Sequence, residues 1–235
     1  MHTSLTSLIA ATALGLGAAL PAHAQLLSGN AYGAFVDPGV AYTTVINGPV
    51  DSWFKSGVPY RPAAPYHDTS TSLQFTGDTF SNIGDGDRID FGTITTVNGR
   101  TLLGTTAKTA SMDVFLNLPS HGVTAFKLTT LYFTIDSTAN AGALIPDLFY
   151  IGHGDVNALM LGGRNVTFDL QFTNPAFSTG SGDSIPEGSS AMDGIYAYVN
   201  FTPVPEASTF ALGGALLLLG YVALRRMRGA TAATA

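Results

Sequence analysis

The sequence predicts an all-β protein, a β-sandwich of jelly-roll-like form, with an N-terminal signal helix and a single C-terminal transmembrane helix. Three observations carry this: period-two alternation of apolar and polar residues through the middle, turn-forming Gly, Asn, Asp and Pro between the alternating runs, and no amphipathic helix of useful length. A strand with one apolar face needs a second sheet to cover it, and two such sheets make a sandwich. No repeat at a fixed period appears, which argues against a propeller or solenoid.

At the N-terminal end, residues 5–20 read LTSLIAATALGLGAAL, an apolar helix-prone run too short to span a bilayer comfortably. Pro21 and Ala22-His23-Ala24 follow it. Small residues at Ala22 and Ala24 are what a signal peptidase accepts, so cleavage is expected after Ala24, leaving Gln25 as the new terminus. The region before the run carries only the α-amine and His2 where Lys or Arg is usual.

The body, residues 25–203, follows. Strands are expected over Ser72–Thr76, Asp90–Thr95, Met112–Leu118, Leu131–Ile135, Leu148–Ile151, Asn165–Phe172 and Ile195–Phe201. The sixth is the clearest: Val166, Phe168, Leu170 and Phe172 share one face, and Thr167, Asp169 and Gln171 share the other. Pro119-Ser120-His121-Gly122 is a turn between two of them. The stretch 58–68, with Pro59, Pro62 and Pro65, reads as a loop, and 178–190 as a flexible insertion or a long hairpin loop.

At the C-terminal end Val204-Pro205-Glu206 precedes an uncharged run, residues 207–224, and then Arg225, Arg226 and Arg228. As a helix that run rises about 27 Å, just enough for a hydrocarbon core. It is apolar on every face and ends in basic charge, so it reads as a membrane helix with its arginines cytoplasmic and the body outside.

This layout of tripeptide, apolar helix and basic cluster resembles the PEP-CTERM sorting signal of Gram-negative bacteria, with Ala207 at the tripeptide's third place. The resemblance implies processing by an exosortase, a membrane transpeptidase-like enzyme that cuts near the Pro-Glu element and passes the body to the cell surface or an extracellular polymer layer. Val204, Pro205, Glu206 and the three arginines would then be a substrate site. The expected divisions are a signal peptide (1–24), the sandwich (25–203), the sorting signal (204–228) and a cytoplasmic tail (229–235).

Within the body, Phe91-Gly92-Thr93-Ile94 with Asn98-Gly99, Thr138-Ala139-Asn140 with Pro146-Asp147, and Gly162-Gly163 ahead of Val166 resemble the choice-of-anchor domains of exported bacterial proteins, most nearly type K. That resemblance implies an extracellular β domain and supplies no active site.

Composition narrows the function classes. Ahead of the tail's arginines the chain holds seven basic against sixteen acidic residues, a balance of −9, with no basic stripe for nucleic acid. It contains no cysteine, which removes disulfides, thiolate zinc sites and a Cys nucleophile. The length suits one domain plus processing segments.

Four local constellations bear on chemistry. Asp85, Asp87 and Asp90 lie within six residues, a candidate calcium loop; the competing reading is a Gly-Asp turn entering a strand, with Arg88 pairing a neighbouring Asp. His153-Gly154-Asp155 offers two ligands and no third. Gly182-Asp183-Ser184-Ile185 has the look of a serine-esterase block, but no histidine follows Ser184. Trp53 and Tyr60, beside the Pro-rich loop, are candidates for stacking on the apolar faces of sugars, against a packing role for both.

The expectation is therefore a non-catalytic, exported protein, anchored transiently in the inner membrane and then held at the cell surface or outside it. Its partners would be signal peptidase, exosortase, the membrane and extracellular polysaccharide, with no cofactor, or calcium alone at Asp85, Asp87 and Asp90. The alternative is a lectin-like module, calcium-stabilised, and last a secreted hydrolase.

Overall fold

A computed structural model describes residues 26–61, 68–138, 146–178, 182–204 and 213–222. Thirteen strands in this part of the chain form two antiparallel sheets. They are β1 (Leu27–Val36), β2 (Thr43–Asn47), β3 (Asp51–Ser56), β4 (Thr71–Gly77), β5 (Thr79–Ile83), β6 (Arg88–Val97), β7 (Thr109–Leu118), β8 (Val123–Asp136), β9 (Asp147–His153), β10 (Leu159–Leu161), β11 (Arg164–Phe172), β12 (Asp183–Ile185) and β13 (Ser190–Pro203). One sheet has the order β12-β9-β8-β7-β1-β5, the other β10-β11-β13-β6-β4-β3-β2.

The all-β reading holds, and the alternation explains it. In β7 the inward Met112, Val114, Leu116 and Leu118 are fully buried, and in β11 Val166, Phe168, Leu170 and Phe172 face the same interior. Inward residues of both sheets merge into one core that includes Phe54, Phe75, Phe91 and Leu131. The winding is less jelly-roll-like than expected. Consecutive strands β2-β3-β4 and β7-β8-β9 stay side by side as meanders, whereas a jelly roll passes the chain between sheets at most turns.

All seven expected strands are present, most of them longer than alternation indicated: β8 begins at Val123 and β13 at Ser190. Within the stretch 178–190, expected as a flexible insertion or long hairpin loop, Asp183–Ile185 forms an edge strand paired with β9. The short turn expected at residues 119–122 is a 3-10 turn, Pro119–His121.

Residues 213–222 are helical and solvent-exposed. Among the described residues no helix is long and apolar enough to cross a membrane. The rest of the expected span, together with Pro205, Glu206, Arg225, Arg226 and Arg228, lies outside the described residues, as do the signal run, Ala22, Ala24 and Gln25.

Candidate functional site

Strand β3 positions the first candidate. Its inward side chains are Ser52, Phe54 and Ser56, all at most 1% exposed. Ser52 joins the sheets, its Oγ donating to the Gly33 carbonyl of β1 at 2.6 Å, and Ser56 holds the loop before β7, its Oγ accepting the Ala107 N–H at 2.6 Å. With the even positions committed inward, period two sends Trp53 and Lys55 to the outer face. Trp53 stands in register between Ile46 of β2 and Gln74 of β4, half-buried, with Lys55 Nζ 5.5 Å from its ring centre.

A groove of about 420 Å³ opens beside this indole, walled by Trp53, Lys55, Pro59, Asp68, Ser70 and Ser72. With Thr69 also lining it, it combines one aromatic face, one cation, one carboxylate and three hydroxyls, a set able to stack on an apolar ligand face and hydrogen-bond its edge. Tyr60 is not part of this wall. Two guanidinium groups stand near its ring, Arg61 at 5.1 Å and Arg100 at 5.0 Å, though the side chain remains exposed.

A second aromatic cluster lies on the same sheet, from residues of β13 and β6. Arg88 sits 3.9 Å above the Tyr196 ring, and Tyr196 meets Tyr198 edge-on at 6.0 Å. Outward alternation of β13 was the signal for this cluster. Its partner Arg88 was visible only as a neighbour of Asp90.

The three aspartates of the candidate calcium loop are not brought together. Asp85 Oδ1 accepts the Phe201 N–H at 2.7 Å, Asp87 Oδ2 accepts the Gly84 N–H at 2.7 Å, and Asp90 Oδ1 accepts Arg88 Nε at 2.8 Å. Asp85 and Asp87 brace a turn that docks on β13, to which Gly86 at φ +79° gives a left-handed step, while Asp90 pairs with Arg88 within β6. His153 places its ring 6.3 Å from Phe172, at a cleft of about 370 Å³ where the sheets part, with Nδ1 2.8 Å from the Gly154 carbonyl. Ser184 is exposed on edge strand β12, and Asp183 accepts a bond from Asn174 Nδ2 at 3.3 Å. His121 Nε2 contacts the Leu26 carbonyl at 3.1 Å, and His67 lies outside the described residues.

One buried cluster escaped sequence reasoning. Asp68 before β4, Asn98 and Arg100 after β6, and Glu187 after β12 come from three loops at one end of the sandwich. Glu187 exposes 1% of its side chain, and Arg100 Nε stands 3.7 Å from its Oε2. Burial pushes the Glu187 carboxyl above the usual range; Arg100 opposes the rise while Asp147 and Asp68 add to it. Asp193 is also raised by burial, against the hydrogen bonds it accepts from Thr173 and Asn174. The available signal was compositional: the chain's acids are Asp except Glu187 and Glu206.

Among the described residues no group of three His, Cys, Asp or Glu side chains is placed to hold a metal ion. Comparison with protein-family models and with curated proteins finds no match to this chain.

Proposed function

We propose that this is an exported, non-catalytic surface protein that associates with extracellular polysaccharide through the Trp53 groove. The carrying observation is the placement of Trp53 on the outer face of β3, half-exposed beside Lys55, Asp68, Ser70 and Ser72. A pyranose ring offers an apolar face to the indole and hydroxyls to the carboxylate and serines, the pairing such a wall suits. The tail supplies the address: its tripeptide, apolar run and arginines suit a membrane helix held transiently, then cut by an exosortase near Val204-Pro205-Glu206. The reading places the body at the cell surface or in the matrix outside it.

A polysaccharide pull-down and glycan array with the purified protein tests the groove. Trp53→Ala should weaken binding by about tenfold or more, as expected for loss of a central aromatic contact, with the melting midpoint little changed. If the wild-type protein binds no polysaccharide, or Trp53→Ala binds as tightly, the groove is not the contact.

A further inference from the structure

We infer that the buried loop cluster at Glu187 is a binding site for a hard divalent cation of calcium's class, with Glu187, Asn98 and Asp68 as its side-chain ligands. The loops are locked together by backbone bonds. Gly188 donates its N–H to the Asn98 carbonyl at 2.7 Å, and Asn98 donates its own N–H to Ser189 at 3.0 Å. Asn98 Nδ2 donates to the Ile185 carbonyl at 2.7 Å, which fixes the amide plane and leaves Oδ1 to point elsewhere.

What that scaffold holds is a surplus of acceptors. Asn98 Oδ1, both Glu187 oxygens and Asp68 Oδ2 are all buried and all lack a hydrogen-bond partner. Buried polar atoms are nearly always partnered, so four orphaned oxygens on loops that are bonded together at Asn98–Gly188 and that feel one another's charge at Asp68–Glu187 call for a common explanation. Arg100 provides it only in part: its Nε forms a loose ion pair with Glu187 Oε2 at 3.7 Å, too long for a hydrogen bond, and its guanidinium also lies 5.0 Å from the Tyr60 ring. A single water has two protons to give and would leave acceptors unmet. A cation satisfies all of them together.

Charge points the same way. The groups that act on Glu187 are Arg100, Asp147 and Asp68, so with Glu187 ionised three negative charges face one positive. A divalent ion balances the remaining two. Asp147 contributes field more than ligation, because its Oδ1 already accepts Thr138 N–H at 2.8 Å and Thr138 Oγ1 at 3.0 Å. An all-oxygen set of two carboxylates and an amide suits calcium, which completes its shell with carbonyls and water. The same set, without His or Cys, disfavours zinc.

The test is thermal unfolding and calorimetric titration of the purified protein, first stripped with chelator and then supplied with CaCl2 or MgCl2. Calcium about 100-fold above its Kd should raise the melting midpoint by roughly 5–10 °C. Glu187→Gln should lose that rise, and Asp87→Asn, in the separate Gly84–Asp87 turn, should keep it. Asp68→Asn, nearer the surface, should weaken it and serves if Glu187→Gln does not fold. No metal-dependent shift in the wild type, or a shift that survives in both Glu187→Gln and Asp68→Asn, overturns the assignment.

Discussion

At the residue scale the buried carboxyls set how stability responds to pH. Glu187 and Asp193 have ordinary values of 4.5 and 3.8, and burial raises both in the folded protein. A carboxyl raised on folding holds its proton more tightly folded than unfolded. Its contribution is complete below the unfolded value and is lost as pH climbs through the raised folded value. In chelator, therefore, the melting midpoint should rise as pH falls from 7 to 5, and Glu187→Gln should flatten that slope. A wild-type midpoint that falls over the same interval contradicts this. None of it was legible in the sequence, because Glu187 meets Asp68 and Asn98 only through tertiary folding. Trp53 was legible as a candidate, since composition marks a lone tryptophan beside a Pro-rich loop; its outward direction follows from the committed neighbours Ser52 and Phe54. Tyr60 looked equivalent but stands apart: it is exposed, does not line the groove, and has Arg61 and Arg100, distant in sequence from one another, beside its ring.

At the scale of elements, alternation was readable where the inward residues were large and failed where they were small. Strand β11 announces itself through Val166, Phe168, Leu170 and Phe172. Strand β1 is as central, paired with both β7 and β5, yet its inward positions are Leu27, Ala31, Gly33 and Phe35, too weak a period to detect. Gly33 is small for a packing reason: a Cβ there would lie 2.6 Å from Met112 Sδ and 2.7 Å from Phe75 Cδ1. Gly33→Val should therefore destabilise by about 1–3 kcal/mol through overpacking, measured by denaturant unfolding. An unchanged midpoint would mean that Met112 and Phe75 move aside freely. The turn before β6 gives a second case, where carboxylates that look like metal ligands act as backbone partners. Asp85→Ala leaves the Phe201 N–H on β13 without its acceptor and should cost about 1–2 kcal/mol, calcium present or not. Asp85→Asn, which keeps an acceptor oxygen, should cost less.

At the scale of the whole molecule, sheet order decides where the chain can be cut. The last strand, β13, is not an edge: it lies between β11 and β6 and carries Ile195, Ala197 and Val199 into the core. Removing its core-facing residues would open the sandwich, and its pairing with β11 runs on to Pro203. Val204 still donates its N–H to the Gly163 carbonyl at 3.1 Å, a single exposed-end bond. A cut at the Pro205-Glu206 element would therefore fall immediately past the last residue the sheets require. Such a cut keeps Val204 and its bond to Gly163, so it should release a body whose melting midpoint lies within about 2 °C of the uncut chain. Intact mass of the protein recovered from its own cells checks both ends at once. The expected species begins at Gln25 and ends near Val204–Glu206, and Glu206→Ala should shift the population toward a membrane-retained form that keeps Arg225, Arg226 and Arg228. A mature protein that retains those arginines in wild-type cells rejects sorting through the tail, while leaving the groove and the cation site to stand or fall on their own measurements.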